Sequence, residues 1–332
     1  MAGRWLLYAL GGGMGHLTRA SALARAAARR GHSVSLLINS AFAPGLPLEA
    51  VLGPDVRVRW LGPEVGKAEV REAVARWLEE ERPDVFVVDT FPRGLGGELV
   101  TLLPGLGVPK VLVHRDLNPA YVERFDVARA VEAFDLLLVP GEDAPFSGHP
   151  RAVRTAPWLL LEPGELLPRA EARARLGVPL EDARPVVAVM GCGTAAEVEE
   201  AGAVASRLQA RLEGAAWVRW LVPPGVAASG PCVCVWPALA VLPGVDVLVG
   251  AGGYNTVQET RATGTPLVAL ARPRLYDRQA FRLRPEERAD SREALVERAV
   301  ALALAPAARG PGAYASGTAD AVALIERALL SA

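Results

Sequence analysis

Hydrophobic and polar positions follow two alternating patterns along the whole chain. Short apolar runs such as WLLYAL, SVSLLI and DVFVVD are typical of buried parallel strands. Longer stretches between them have helical periodicity. In residues 17–30, Leu17, Ala20 and Leu23 fall on one helix face, and Gly31 follows as a stop signal. This alternation predicts α/β structure with doubly wound parallel sheets.

The predicted strands fall into two groups. The first half contains WLLYAL, SVSLLI, VRVRWL, DVFVVD, KVLVH and DLLLV, and the second contains PVVAVM, WVRWLV, CVCVW, DVLVG and PLVAL. Residues 140–168 are rich in proline and glycine and interrupt the alternation, so a domain boundary is expected there. We predict Rossmann-like domains over residues 1–145 and 146–315. A final helix within 316–332 is a candidate to pack back on the first domain.

Composition narrows the classes of function. The chain has 36 Lys and Arg against 37 Asp and Glu, a formal net charge of -1, which argues against a general nucleic-acid binder. Its three cysteines fit a reducing cytoplasm better than a disulfide framework. Apolar runs fall short of the ~20 residues of a membrane span. We expect a cytoplasmic protein, with peripheral contact at the inner face of the membrane left open.

The loop GGGMGH, residues 11–16, follows the first strand and opens the first helix. In such sheets ligands bind beyond the carboxyl ends of the strands. Glycines let a ligand approach the backbone, and helix-start amides attract an anion or a polarised hydroxyl. A dinucleotide fingerprint would need a glycine where His16 stands and an acidic residue where Asn39 stands, so nicotinamide and flavin enzymes are disfavoured.

His16 is the candidate catalytic base, because a histidine beyond a strand end can take a proton near neutral pH. Its partner is expected to be Asp89 or Asp116, which also follow strands. Structural alternatives stay open. His16 could be a capping or turn residue, Asp89 a helix cap, and Asp116 a turn residue or a salt-bridge partner of Arg115.

The second half has loops suited to a nucleotide. In GCGT, residues 191–194, small residues and a hydroxyl at a helix start suit a diphosphate. In GAGGYNTVQE a helix is expected to begin near Asn255, and Glu259 one turn later could accept hydrogen bonds from ribose hydroxyls. Asp277 and Gln279, in RPRLYDRQ, have hydrogen-bonding side chains of the kind that bind sugar hydroxyls.

GAGGYNTVQETRATGTPLVAL followed by DRQ resembles the donor-binding region of GT-B glycosyltransferases, especially glycosyltransferase family 28 and its MurG type. GGGMGHLTRASALARAAARRGHSV resembles the opening of the same family. The resemblance implies a GT-B fold whose domains face each other across a cleft. Ala280 stands where a second glutamine often follows in the MurG type, which leaves the sugar open.

The resemblance also implies roles for individual residues. Glu259 would hold the ribose of the donor, and Asp277 and Gln279 would contact the transferred sugar. The nucleobase would lie near residues 235–238. The residues expected near the diphosphate are Gly191, Gly193, Thr194, Gly252, Gly253, Asn255 and Thr256. The residues expected on the acceptor side are Gly13, Gly15, His114, Arg115 and Asn118, the last three in VHRDLNP.

These observations predict a hexosyltransferase that uses no cofactor and no metal. It would move a hexose or N-acetylhexosamine from a nucleotide diphosphate sugar, with UDP-sugar as the expected donor, and inversion is the expected outcome. The acceptor would be a hydroxyl of a small molecule, a glycan or a lipid-linked substrate. Two alternatives stay open: a UDP-sugar epimerase on the same fold, which needs no acceptor, and a non-catalytic nucleotide-sugar binding protein.

Overall fold

The computed structural model describes residues 2–191, 193–226, 232–305 and 312–330. They divide into two compact units. The first contains the chain up to Leu160, Leu275–Asp277, and the chain from Ser316 onward; the second contains Leu161–Arg274 and Arg278–Ala315. The first crossing between units follows Leu160, within the interrupted stretch 140–168 but later than residue 145. The short segment 275–277 returns to the first unit.

The first unit is built on a seven-stranded sheet in which every neighbouring pair is parallel. Its strands are β1 (Arg4–Ala9), β2 (Ser33–Ile38), β3 (Val56–Trp60), β4 (Val85–Asp89), β5 (Lys110–Val113), β6 (Leu136–Pro140) and β7 (Ala152–Thr155). They lie in the order β3-β2-β1-β4-β5-β6-β7. The sequence did not predict β7, because this edge strand is short and only partly buried, so it lacks an apolar run. Its pairing with β6 carries the first unit beyond residue 145.

Helices connect the strands of the first unit and cover its sheet. They are α1 (Met14–Arg29), α2 (Leu48–Leu52), α3 (Lys67–Glu81), α4 (Leu99–Leu102), α5 (Pro119–Arg124) and α6 (Val127–Val131). The core lies where the apolar runs of the strands meet helix α3, with Leu6, Phe86 and Leu112 of the sheet and Val74 of the helix fully buried. Strands buried on both faces explain why these runs are continuously apolar.

The second unit repeats this plan on a six-stranded parallel sheet. Its strands are β8 (Val186–Met190), β9 (Trp217–Val222), β10 (Cys232–Cys234), β11 (Val247–Gly250), β12 (Leu267–Leu270) and β13 (Arg288–Ala289), in the order β10-β9-β8-β11-β12-β13. Its helices are α7 (Arg169–Arg175), α8 (Ala195–Leu212), α9 (Tyr254–Thr263), α10 (Gln279–Arg282) and α11 (Arg292–Leu304). β13 has only two residues and was not predicted.

The final helix, α12 (Thr318–Leu330), lies in the first unit and packs against α1. It buries Ala321, Val322 and Ile325. Arg30, which follows α1, donates to Glu326 at 2.9 and 2.6 Å, and His32 Nε2 lies 3.0 Å from the same carboxylate. Apolar contact and a two-point ion pair thus hold the end of the chain beside its beginning.

In each sheet the strand order reverses beside the first strand of the unit, between β1 and β4 and between β8 and β11. Loops after neighbouring strands diverge at such a point and leave room for a ligand. Across the described ranges, no helix combines the length and apolarity that crossing a membrane requires.

Candidate active site

The loop after β1 is held by an amide side chain from β2's end. Asn39 Oδ1 accepts hydrogen bonds from the backbone N–H groups of Gly11 and Gly12 at 2.8 and 2.9 Å. Gly12 has φ 74°, a left-handed conformation that favours glycine. A Cβ on Gly11 would lie 2.2 Å from Cδ2 of His16, so a glycine there makes room for the imidazole ring. In the sequence, Asn39 had attracted attention only because a dinucleotide-binding site would have an acidic residue at its position.

His16 lies in the first turn of α1 and pairs with Asp89 at the end of β4. The distance from Nδ1 to Asp89 Oδ2 is 2.6 Å, and both side chains are buried. A carboxylate can only accept here, so Nδ1 carries the hydrogen and Nε2 of the neutral ring has an open lone pair. Burial lowers the pKa of His16, the contact with Asp89 opposes this, and the charge of Arg19 lowers it further. The ring is thus oriented as a base.

Asp116, the other expected partner of His16, has its backbone N–H directed at Glu142 Oε1, 3.2 Å away. The same glutamate oxygen accepts from Arg115 Nε at 2.7 Å. Of the two predicted carboxylates, the structure brings Asp89 into hydrogen bonding with His16.

Arg19 is a site residue that the sequence reasoning missed. It is 1% exposed, and its Nε and Nη2 donate to the two oxygens of Asp89 at 2.7 and 2.6 Å. Nη2 also donates to Thr90 Oγ1 at 2.9 Å. Burial would raise the pKa of Asp89, but the charge of Arg19 and the hydrogen bonds from His16 and Arg19 hold it well below its usual range. The available signal was the spacing of His16 and Arg19, three apart on one helix face.

Two aromatic rings of the first unit, Phe91 and Tyr276, lie beside His16, and two more, Tyr121 and Phe125, continue this group of rings. We call Phe91, Tyr121, Phe125 and Tyr276 the aromatic cluster. The Phe91 ring centroid lies 5.1 Å from that of His16 and 4.9 Å from that of Tyr276, with the last two rings at right angles. Tyr276 belongs to the short segment that returns to the first unit, and its backbone oxygen accepts from Asn118 N at 2.9 Å.

The residues predicted on the acceptor side have structural contacts. His114 is fully buried, its Nε2 accepts from Phe146 N at 3.2 Å, and burial lowers its pKa to about 4. Asn118 Oδ1 caps α5 by accepting from Ala120 N at 3.0 Å. Arg115 is in the ion pair with Glu142 described above. Their predicted contact with an acceptor stays a prediction.

The glycines predicted on that side differ in their surroundings. Gly13 is the N-cap residue of α1. Gly15, inside the helix, would give an added Cβ open space. Neither observation bears on an acceptor.

The loop after β8 leads into α8 in the second unit. Thr194 caps this helix, its Oγ1 accepting from Glu197 N at 3.3 Å. A Cβ on Gly193 would lie 2.1 Å from Glu197 Oε2 and 2.7 Å from Arg274 Nη2, so these two side chains, which are ion-paired, cover Gly193. The sequence reasoning missed Arg274. A Cβ on Gly191 would collide with the backbone of α8, 2.5 Å away. Cys192 lies outside the described residues.

Helix α9 starts after the predicted turn, with Gly253 as its N-cap residue and Asn255 and Thr256 in its first turn. Glu259 is 5% exposed, and burial raises its pKa to about 8. In the described part of the chain no side chain donates a hydrogen bond to this carboxyl group or ion-pairs with it. A buried carboxyl group without donors is costly, which is the condition expected of a group that receives them from a ligand.

The other predicted donor residues lie around α10. A Cβ on Gly252 would lie 2.7 Å from the backbone oxygen of Gln279, and Arg282 Nη1 donates to the Gly252 oxygen at 2.7 Å. Gln279 is buried, and its Oε1 accepts from Arg272 N at 3.0 Å. Asp277 is half-buried and belongs to the segment that joins the first unit.

The place expected for the nucleobase, residues 235–238, follows β10. Val235 N donates to Val222 O at 3.0 Å, which extends the contact of this segment with β9. Trp236 comes next and was not predicted as a site residue. Its buried indole N–H has no hydrogen-bond partner among the described residues. Within the same described ranges, no three or more His, Cys, Asp and Glu side chains are grouped to hold a metal ion.

No protein-family model matches the chain, and no protein of curated function matches it. Solved structures match over nearly its full length. The glycotransferase of kitacinnamycin is 20% identical, with 99% of this chain and 100% of that chain covered and a TM-score of 0.64. SsfS6, a glycosyltransferase of Streptomyces sp. SF2575 complexed with thymidine diphosphate, is 16% identical, with 98% and 99% covered and a TM-score of 0.61. Arabidopsis thaliana UGT89C1 complexed with UDP-L-rhamnose is 13% identical, with 93% and 92% covered and a TM-score of 0.60.

Similarity at these identities defines the fold. The chain has the two parallel-sheet, Rossmann-like domains of the GT-B glycosyltransferases, with seven strands in one and six in the other. The predicted fold class is confirmed. The closer resemblance to family 28 and the MurG type stays a hypothesis.

Proposed function

We propose that this protein is a glycosyltransferase that moves a sugar from a nucleotide diphosphate sugar to a hydroxyl acceptor. The observation that carries the proposal is the buried pair of His16 and Asp89 beyond the ends of β1 and β4, in a chain with the GT-B fold. Fold alone hosts many reactions, whereas an oriented imidazole provides a specific one, removal of a hydroxyl proton.

In the proposed reaction Nε2 of His16 takes the proton of the acceptor hydroxyl as its oxygen bonds to the anomeric carbon of the sugar. The bond from that carbon to the diphosphate breaks, and the diphosphate leaves with the electron pair. Asp89 holds the Nδ1–H tautomer and stabilises the imidazolium that forms. Attack on the face opposite the leaving group gives the inverted product.

The second unit supplies the proposed donor site. The first turns of α8 and α9 present backbone N–H groups, and Arg274 lies over Gly193, so a leaving diphosphate could be stabilised without a metal or a cofactor. Glu259 would accept hydrogen bonds from ribose hydroxyls, and the half-buried Trp236 would stack on the nucleobase. The nucleotides in the complexes of SsfS6 and UGT89C1, thymidine diphosphate and UDP-L-rhamnose, support a pyrimidine diphosphate donor, with UDP-sugar our first candidate.

The aromatic cluster supports an acceptor with a flat or apolar body. Phe91 and Tyr276 lie beside the imidazole of His16, where rings can pack against a bound molecule while its hydroxyl meets Nε2. A small-molecule acceptor fits this surface. A lipid-linked acceptor, as the MurG-type hypothesis implies, and a glycan are the alternatives, and the transferred sugar would be a hexose or N-acetylhexosamine.

A thermal-shift screen followed by a turnover assay tests this function. A nucleotide present at about 100 times its Kd and bound only by the folded state stabilises it by about 2.7 kcal/mol. UDP and thymidine diphosphate should therefore raise Tm, and NAD should not. Equal responses to NAD, or no response to any diphosphate, would refute the donor site. Conversion of a UDP-sugar without an acceptor would indicate an epimerase, and binding without any turnover a nucleotide-sugar binding protein.

A further inference from the structure

Asp89 has two basic partners at once. Its Oδ2 lies 2.6 Å from Nδ1 of His16 and 2.6 Å from Nη2 of Arg19, and its Oδ1 receives Nε of Arg19 at 2.7 Å. All three side chains are buried, with Arg19 at 1% exposure. Buried arginine charges are retained where they are paired, and here the pairing is two-pronged.

The charge of Asp89 by itself would raise the pKa of His16. A negative charge within about 4–6 Å favours the protonated form of a histidine, and an imidazolium cannot accept another proton. The guanidinium of Arg19 neutralises that carboxylate while leaving Oδ2 able to accept from Nδ1. Asp89 can then orient the ring without protonating it in the resting enzyme.

We propose that Arg19 is a positioning residue that keeps His16 unprotonated at neutral pH and fixes Asp89 against its Nδ1. The inference rests on the proposed function, in which His16 is the base. Arg19 does not touch the reacting atoms in this scheme; it acts through Asp89. A further hydrogen bond, from Nη2 to Thr90 Oγ1, helps to hold the guanidinium in the plane that meets both carboxylate oxygens.

Few other charges face the ring. Arg115, from the loop after β5, acts on His16 in the same direction as Arg19 but is ion-paired with Glu142 at 2.7 Å. Tyr276, with its ring centroid 6.4 Å from that of His16, meets it with an aromatic ring. Arg19 is the cation in direct contact with the aspartate that binds His16, so removing its charge should have the larger effect.

The test is the titration of the His16 ring followed by NMR in the substrate-free protein. Arg19→Met removes the charge, and the pKa of His16 should rise by about 1 to 3 units. Arg19→Lys keeps the charge but not the two-pronged contact, so the His16 titration should stay near wild type while kcat falls. In activity assays the acidic limb of kcat/KM should move to higher pH in Arg19→Met and stay in Arg19→Lys.

Arg25→Met is the matched control, because Arg25 lies on the same helix and donates to Leu160 O at 3.0 Å, away from the pair. It should leave the His16 titration unchanged. If Arg19→Met does not fold, Arg19→Gln takes its place. Thr90→Ala should shift the pKa of His16 less than either of these variants. An unchanged or lowered pKa of His16 in a folded, charge-removed variant would overturn the proposal. If nucleotides fail to bind the wild type, the proposed function fails, whereas the titration still decides the role of Arg19.

Discussion

Replacing Glu259 by Gln should abolish a loss of stability with rising pH and weaken the binding of the donor. Burial raises the pKa of Glu259 from its ordinary value of 4.5 to about 8. Between these values the folded state holds a proton that the unfolded chain has lost, so stability falls as pH rises from about 4.5 to about 8 and then levels off. Gln does not titrate, so the variant lacks this slope.

The size of the effect follows from the same pKa values. Each pH unit well inside that window costs about 1.4 kcal/mol of unfolding free energy, and the slope flattens near each pKa. Wild type should therefore lose roughly 3 to 4 kcal/mol relative to Glu259→Gln between about pH 5 and pH 8. A pH-independent difference, from burying an amide in place of a carboxyl group, shifts both ends equally and leaves the slope unaffected. The assay is urea denaturation of both proteins at several pH values.

Donor binding gives the second half of this prediction. Ribose hydroxyls donate to an ionised carboxylate, so UDP should bind more tightly as pH rises from about 7 to about 8.5 and should release protons. In Glu259→Gln the affinity should be about 10-fold or more weaker and lose that pH dependence. Calorimetry in buffers of different ionisation enthalpy measures the released protons. Parallel stability curves together with unchanged UDP binding would refute the role assigned to Glu259.

Two further substitutions test the two units separately. His16→Ala should leave UDP affinity nearly unchanged and lower turnover by roughly 100- to 10,000-fold, with loss of the acidic limb that reports the lowered pKa of His16; an active variant with an unaltered pH profile would make His16 structural. Arg274→Ala should weaken diphosphate binding by about 10-fold or more, measured as the affinity for UDP compared with that for uridine. Arg292→Ala is the control and should not weaken it, because Arg292 pairs with Glu200, on the same helix α8 as Glu197, the partner of Arg274. Equal losses in both arginine variants would contradict a specific role for Arg274.

The apolar runs and the glycine-rich loops determined most of the fold at the level of sequence. Strands buried on both faces must be continuously apolar, and loops that open a helix after such a strand need small residues, so both leave a local signal. The same logic fails at β7 and β13, which lie at sheet edges. An edge strand buries little, so its residues need not be apolar, and the first unit therefore extends past the predicted boundary.

For the candidate site, the sequence identified the chemical groups but left the pairing of His16 open between two aspartates. His16, Asp89 and Glu259 each stand at a position that a strand end or a helix start makes recognisable. Choosing Asp89 over Asp116 required the strand order, because β4 lies beside β1 in the sheet while β5 is one strand farther away. Nothing within a single segment encodes that neighbourhood.

Arg19 and Arg274 show what only the tertiary structure decided. In the sequence, neither differs visibly from the many other arginines. The role of each depends on a partner about 70 to 80 positions away, which is Asp89 for Arg19 and Glu197 for Arg274. The likeness of Glu259 to a ribose ligand was readable from its motif. The burial of its carboxyl group, to which no side chain in the described ranges donates, was not. Burial and pairing are properties of the packed molecule, because they depend on which distant segments exclude water from a side chain and which of them supply an opposite charge.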